Sequence, residues 1–500
     1  MKKLAVSILL CCLCTIAVSC FKKEETAPTN TELSDEATVQ AVKSEPEPIT
    51  EITLPFSGEL PPNPFTNRSK FNTDLCSLIY DPLVKLAPNY KPEMYLASTV
   101  TSVDTVHTVH LRRDVTFSDG SALTAEDVAL SFMYAQSPDS FYSGSLKEIV
   151  SCEISDSRTV VFHTTVPDND FANLLTFPIV KESQNGKFIG TGRYLLSTYT
   201  NTLRRNLKHF KSNGGPDSVK LVEFDSSQGL LNSLRKGTVS CIFTDSPDWS
   251  ATYLSNKTES VDLNRLVLLG INGHRGALSN STFRQAIYKA INQQSLSRNA
   301  FKSTAIPTSI PFNPSFYRLD NSITISSSYS PLDSAALIES LGYTKNDDGF
   351  YNSSPLKLIV NKESTIKRNA AKIISEQLAA CGILAEIFEY SFEDYKANLA
   401  TGSYDLYIGE IAIPRNMNIS AVLTPSTNAG FGSAYSYQLL SEYSAVRAGS
   451  MEYSEFLETF YEVVPFVPLA YRNGILAFTN DFSADILATE QDIFYNIDQW

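Results

Sequence analysis

Leu111-Arg112-Arg113-Asp114-Val115-Thr116-Phe117-Ser118-Asp119-Gly120 is followed, after Ser121 and Ala122, by Leu123-Thr124-Ala125-Glu126-Asp127-Val128. Asp119-Gly120 reads as a turn, since both residue types tolerate the backbone that a tight reversal needs. Thr124 is a good helix N-cap, and Glu126 and Asp127 place acids in the first turn, where the positive end of the helix dipole favours them. The helix is expected to continue through Val128, Phe132 and Met133 to about Gln136. Upstream, Val106 to Leu111 alternates with the period of a strand. Val106, Thr108 and His110 fall on one face, and His107, Val109 and Leu111 on the other. A further strand is expected from Thr159 to His163, ending near Pro167.

The same alternation of strand and helix recurs downstream. Asp262 to Asn272 is apolar and strand-like through Leu266, Val267, Leu268, Leu269 and Ile271. Ser281 is expected to cap a helix whose Phe283, Ile287, Ala290 and Ile291 form one stripe. Residues 368 to 381 read as a second helix with Ala371, Ile374, Leu378 and Cys381 on one face and Gly382 in the place of a C-terminal glycine. A strand from Ile383 to Tyr390, a helix from Ser391 to about Ala400, and a strand from Tyr404 to Ile408 follow. This βαβα order implies α/β domains with helices covering sheets. No repeat of fixed period is present.

The N-terminus carries an export signal. Lys2 and Lys3 precede a nearly unbroken apolar run from Leu4 to Val18, too short to span a bilayer comfortably. Ala17-Val18-Ser19-Cys20 ends that run and resembles a bacterial lipobox, with Ala17 where Leu is usual. Cys20 is therefore the expected lipidation site and residues 1–20 the signal; ordinary signal cleavage or a retained anchor helix are the alternatives. From Phe21 to about Ile49 the chain is rich in Glu, Thr, Ser, Pro and Ala, with no aromatic residue between Phe21 and Phe56. Such a segment buries too little apolar surface to offset ordering entropy, so 21–49 is expected to be a tether.

Composition excludes several classes. The net charge of −13, with no basic run beyond the signal, argues against nucleic acid as a partner. Of eight cysteines, Cys76, Cys152, Cys241 and Cys381 lie scattered through the body with no CxxC, which is no disulfide framework. They are expected to be buried small side chains, with a single disulfide left open. The five histidines are His107, His110, His163, His209 and His274; the first two point to opposite faces of one strand, so no metal site is expected. No G-x-S-x-G, HExxH or P-loop motif marks an enzyme. The chain, at 43% hydrophobic residues overall, is large enough for two or more packed domains.

Taken together, these residues resemble family 5 of the extracellular solute-binding proteins, the dipeptide, oligopeptide and nickel binders of ABC importers. The resemblance runs from about Pro62 to Tyr471. Its most specific pieces are Leu78-Ile79-Tyr80-Asp81-Pro82-Leu83-Val84, then Pro92 and Leu96-Ala97-Ser98, then the Leu111–Val128 block, which is similar to the family's "LR.GV.F.DG..LTAEDV". In the same order, Gly190-Thr191-Gly192-Arg193-Tyr194 resembles a GTGPY turn and Gly270-Ile271-Asn272 a GFN strand. Phe283-Arg284-Gln285-Ala286-Ile287 resembles a "VRQAI" helix. Pro307-Thr308 resembles a "PT..P" stretch, and Gly402-Ser403-Tyr404-Asp405 a "G.YD" segment.

The resemblance implies an α/β fold, a two-lobed periplasmic-binding-protein clamp of class II with an extra subdomain in lobe I, whose lobes close by hinge motion over the ligand. Two crossover strands are placed at Leu266–Asn272 and around Phe466–Tyr471. Lobe I would be residues 50–270 plus 470–500, and lobe II 271–469. The implied chain is monomeric, has no cofactor and is no catalyst; it hands a small solute, foremost a short peptide, to separate ABC permease subunits. An oligosaccharide or other non-peptide solute, or a peptide-sensing receptor not coupled to import, are the alternatives. Family peptide binders hold the ligand amine with an acid soon after "G.YD", in a segment like "W.ADY.DP"; aligned from Tyr404-Asp405, this chain has Ile411 at the tryptophan and Pro414 at the acid. Glu410 and Arg415 are the charges expected to face the cleft, with a solvated surface pair as the alternative. The glycine-rich Ala429–Ser433 loop is expected to bring Gly430 and Phe431 near the ligand, with a plain surface turn as the alternative, and Tyr80, Asn272 and Tyr471 complete the candidate set.

Overall fold

Two strands of unusual length organise the protein. Lys257–Ile271 has 15 residues and Phe466–Phe478 has 13, against a usual five or six. They pair antiparallel from Lys257↔Phe478 to Gly270↔Phe466. At about 3.3 Å per residue the longer one extends nearly 50 Å. The computed structural model describes residues 48–500 except 198, 212–213, 225–226, 246–256, 320–322, 324–328, 426–428, 481 and 483. The expected signal, most of the tether, and Cys20 lie outside the described residues.

Each end of the long pair belongs to different surroundings. The seven-stranded sheet runs in the order Cys241–Thr244, Phe466–Phe478, Lys257–Ile271, Leu406–Ala412, Leu356–Asn361, Ala385–Tyr390, with Ala305–Pro307 also paired to Phe466–Phe478. Cys241–Thr244 pairs only with the last residues of Phe466–Phe478, whereas Leu406–Ala412 pairs with Arg265–Ile271. Burial changes along Lys257–Ile271 in step. Thr258 and Ser260 are exposed between less exposed neighbours, but every residue from Leu266 to Ile271 is buried. One-sided cover gives alternation and two-sided cover gives a continuous apolar run. Between these regimes the register slips from Asp262 to Arg265, and Asn264 takes a left-handed backbone, φ 48°. That β-bulge is held by side chains: Asn264 Nδ2 donates to Ile413 O at 2.9 Å, and Asp262 Oδ1 accepts from Asn264 N and Asn313 Nδ2 at 2.9 Å each.

Before the long pair, two four-stranded sheets form. One joins Glu51–Phe56, Ser218–Glu223, Thr202–Arg205 and Tyr194–Ser197; the other, all antiparallel, joins Ala97–Val103, Val106–Leu111, Thr159–Thr164 and Ile149–Asp156. His107, Val109 and Leu111 face inward as their alternation requires. His107 bridges Ser102 and Thr164 hydroxyls at 2.8 and 3.0 Å and stacks on Phe171 at 3.8 Å. Burial lowers its pKa to about 4, so it is a neutral core residue. The helix Ala125–Gln136 starts with a capping box in which Asp127 Oδ2 accepts from Thr124 N at 2.9 Å.

After the first long strand, helices Ser281–Ala290 and Thr365–Ala380 cover the sheet with a core that includes Phe283, Ile287, Ile374 and Leu378, and Phe392–Thr401 packs beside Leu356–Asn361 and Ala385–Tyr390. Some boundaries differ from expectation. Asn280, not Ser281, caps its helix, accepting from Thr282 N at 2.8 Å. The second helix begins at Thr365, because Ile366 extends the apolar stripe one turn back to Ala370. The strand expected at 404–408 is Leu406–Ala412, its start delayed because the Asp405 carboxylate accepts from Lys357 N at 2.8 Å. Cys76, Cys152, Cys241 and Cys381 are free thiols, and all but Cys152 are buried. No described helix is long and apolar enough to cross a membrane.

Candidate functional site

The C-terminal segment builds one wall of the site with no regular structure before the short 3-10 helix Ile497–Gln499. Thr489 N donates to Asp492 O at 3.1 Å and Asp492 N to Thr489 Oγ1 at 3.1 Å, closing a tight loop with Glu490 and Gln491 at its tip. Asn496 fixes the following turn through Asp485 O (2.9 Å), Leu487 N (2.8 Å) and Trp500 Nε1 (3.0 Å). Trp500 packs edge-on against Phe478 and Phe482, which anchors the segment to the end of the second long strand.

Asp492 is saturated. It accepts from Lys85 Nζ and Arg193 Nη2 at 2.8 Å each and from Ser77 Oγ at 3.0 Å. Burial alone would raise its pKa, but Arg193 and Lys85 outweigh burial and hold the carboxyl at about 2. Deeper in the same wall, Asp81 Oδ2 accepts from Thr191 Oγ1 at 2.8 Å and meets His209 Nε2 at 3.1 Å, with both the Asp81 and His209 side chains fully buried.

In front of this wall lies a cavity with about 670 Å³ of free space, part of it open to solvent, a size that admits a small molecule. Tyr80, Tyr142, Thr176, Glu490, Asp492 and Tyr495 are among its lining residues, and Arg415 reaches in from the opposite side. Every other lining residue comes from before the first long strand or after the second; Arg415 alone comes from between them. Arg415 Nη1 donates to Thr176 Oγ1 at 2.5 Å, and its carbonyl accepts from Asn173 Nδ2 at 3.1 Å. The Tyr80 hydroxyl is buried without a hydrogen-bond partner. A second cavity of about 730 Å³ shares Thr489, Glu490 and Gln491 with the first and reaches Asp262 beside the bulge. Burial raises the Glu490 pKa despite the pull of Arg415.

The sequence-expected residues divide. Tyr80 and Arg415 line the cavity together. Glu410 is held by Lys367 Nζ at 2.9 Å and Arg472 Nη1 at 3.0 Å, and these cations outweigh burial to keep its pKa low. It is not among the residues that line this cavity. Asn272 donates to Tyr404 O at 3.1 Å, at the turn where Gly273 N meets Gly432 O at 2.8 Å. Gly430 and Phe431 lie in that same loop; Phe431 packs edge-on to Tyr407 at 6.2 Å. A Cβ on Gly430 would meet Thr424 O at 2.1 Å, so the glycine is required by backbone contact. Tyr471 is buried and donates to Pro311 O at 2.8 Å. The residues missed by sequence reading are Glu490, Asp492, Tyr142 and Thr176; the paired acids of Glu490-Gln491-Asp492 amid apolar neighbours were the one available signal.

Beside the cavity the two sides meet through polar contacts. Arg447 pairs with Glu148 at 2.5 Å and Asp168 at 3.4 Å; Asn416 Nδ2 donates to Asp168 at 2.6 Å and Asn418 Nδ2 to Glu148 at 3.1 Å. Arg318 Nε and the Tyr317 hydroxyl bond Asp170 at 2.6 and 2.8 Å. Among the described residues, no group of three or more His, Cys, Asp or Glu side chains could hold a metal ion.

Comparison with known proteins places this architecture. The family model for bacterial extracellular solute-binding proteins, family 5, matches residues 89–431. The chain is 21% identical over 475 residues to the oligopeptide-binding protein AppA of Bacillus subtilis, covering 86% of this chain and 87% of that one. It is 25% identical over 350 residues to the glutathione-binding protein GsiB of Salmonella choleraesuis, covering 65% and 66%. The crystal structure of a nickel ABC transporter from Bacillus halodurans superposes with a TM-score of 0.74 at 17% identity, over 89% of this chain and 98% of that one. The fold is thus the two-lobed α/β clamp of these binding proteins, a family of capture subunits rather than enzymes. The chain belongs to family 5 of the bacterial extracellular solute-binding proteins, the solute-capturing components of ABC importers.

Proposed function

We propose that this protein captures a short peptide between its lobes and delivers it to the permease subunits of an ABC importer, as a monomer tethered outside the membrane by a lipid on Cys20. Lobe I is taken as residues 50–270 plus 470–500 and lobe II as 271–469, with the bulge at Asp262–Arg265 lying just before the crossover strand taken at Leu266–Asn272. The observation that carries the reading is the cavity in which Arg415, from lobe II, faces Tyr80, Tyr142 and Glu490 of lobe I. A ligand bridging these groups would favour the closed arrangement by as much as its affinity for the closed form exceeds that for the open one. The named specificities of the oligopeptide- and glutathione-binding relatives support a peptide. Three tyrosines on the walls, Tyr80, Tyr142 and Tyr495, and Pro414 in place of an amine-binding acid favour an oligosaccharide as the second reading.

A thermal-shift panel of pooled di- to tetrapeptides, oligosaccharides and nickel salts separates these ligands, because binding to the folded state raises the melting temperature. Peptides are expected to give the largest shift, and a shift with sugars alone would replace the peptide reading. Arg415→Ala is expected to weaken binding at least tenfold, about 1.4 kcal/mol. Glu410→Ala, measured beside it, tests whether the acid between Lys367 and Arg472 also serves the ligand. For the anchor, mass spectrometry of the mature N-terminus is expected to find acylated Cys20, and Cys20→Ala is expected to release the protein from membranes.

A further inference from the structure

The charges around the cavity leave two groups over. Of its lining residues Lys85, Arg415, Glu490 and Asp492 carry full charges. Asp492 is shared by Lys85 and Arg193, so Lys85 and Asp492 both have partners. Glu490 and Arg415 remain. Among the described residues no hydrogen bond or ion pair engages the Glu490 carboxylate, and the Arg415 guanidinium holds only the neutral Thr176 hydroxyl. The other cations that act on Glu490 are already committed, Lys70 to Asp74 and Arg265 to Asp245. Glu410, the other acid near this region in sequence, is saturated by Lys367 and Arg472.

Two opposite charges held apart in a partly water-excluded space are costly unless something completes them. No ion pair joins them: hydrogen bonds between Thr489 and Asp492 fix the loop that carries Glu490, and Arg415 Nη1 donates to the Thr176 hydroxyl. We propose, building on the peptide reading above, that Glu490 and Arg415 are the two poles of a zwitterion site, Glu490 receiving the free ammonium of a short peptide and Arg415 its carboxylate. The Tyr80 hydroxyl, buried and unpartnered in the same cavity, supplies a donor to a ligand carbonyl. The amine partner thus stands in the C-terminal segment of lobe I, on the wall facing Arg415.

The test uses pooled di- to tetrapeptides in three forms: free, N-acetylated and C-terminally amidated. Each pool is titrated against the wild type, Glu490→Gln, Glu490→Asp and Arg415→Gln. The wild type is expected to bind the free pool and to lose at least tenfold on acetylation and on amidation. Glu490→Gln is expected to bind the free pool at least tenfold more weakly and to stop distinguishing it from the acetylated one, with Glu490→Asp retaining part of the preference. Arg415→Gln is expected to lose only the distinction between acid and amide. If the wild type binds free peptides and Glu490→Gln keeps both affinity and preference, the assignment of Glu490 falls while the peptide reading stands. If no peptide pool binds the wild type, both fall together.

Discussion

Two polar regions lie side by side where the lobes face each other, and they are built in opposite ways. In the seam, every acid meets donors from across the gap: Glu148 and Asp168 share Arg447, with Asn416 and Asn418 adding bonds, and Asp170 takes Arg318 and Tyr317. In the cavity next to it, Glu490 and the Tyr80 hydroxyl have no partner among the described residues. Folded proteins pair their buried polar groups almost without exception. Arg447 Nε in the seam and the Tyr80 hydroxyl in the cavity are both buried without a partner, so the contrast rests on the acids: those of the seam are paired and Glu490 is not.

Substitutions of paired and of unpaired acids should therefore act in opposite directions. The largest effect is expected from Arg447→Ala, which leaves the 3%-exposed Asp168 side chain without its cation; loss of about 3 kcal/mol in urea unfolding is expected. A change near zero would mean that the seam does not bind the lobes together.

Asp492 gives the next effect, through pH. Its folded pKa of about 2 lies below the ordinary 3.8. A depressed carboxyl stabilises the fold above its unfolded pKa and loses that stabilisation as pH falls through the folded value. Wild-type stability should thus fall between about pH 4 and about pH 2, and Asp492→Asn should be less stable at neutral pH and show a shallower acid loss. An unchanged acid slope in the variant would separate Asp492 from the wall it is taken to support.

The smallest effect has the opposite sign. Burial raises the Glu490 pKa, so the folded state disfavours its charge and loses stability as pH rises past the ordinary value. Glu490→Gln is expected to raise ligand-free stability at neutral pH by about 0.5 kcal/mol while binding is lost, the usual trade at a functional site. A clear destabilisation would show that Glu490 is structural and would erase the contrast with the seam.

The two long strands are legible in the sequence only in part. Leu266–Ile271 is apolar throughout because both faces are covered, and it was read as a strand. Lys257–Val261 escaped because its outward residues are polar and one face is open. The first turn of Thr365–Ala380 was hidden by Lys367 and Arg368, which point away from the core stripe at Ile366 and Ala370. Of the site, Arg415 and Tyr80 were legible from their place in the family pattern. Glu490 was not, since Thr489–Asp492 lies in no helix or strand and is held by its own short hydrogen bonds and by long-range contacts of Asp492 to Lys85, Arg193 and Ser77. Periodicity reports burial against a regular element and is silent about a loop held by side chains.

The most direct test of the whole account is mass spectrometry of small molecules released by denaturing protein purified without residues 1–20. The account predicts short peptides with free amino and carboxyl termini, enriched over the surrounding medium. Release of an oligosaccharide, or of peptides blocked at the N-terminus, would contradict it.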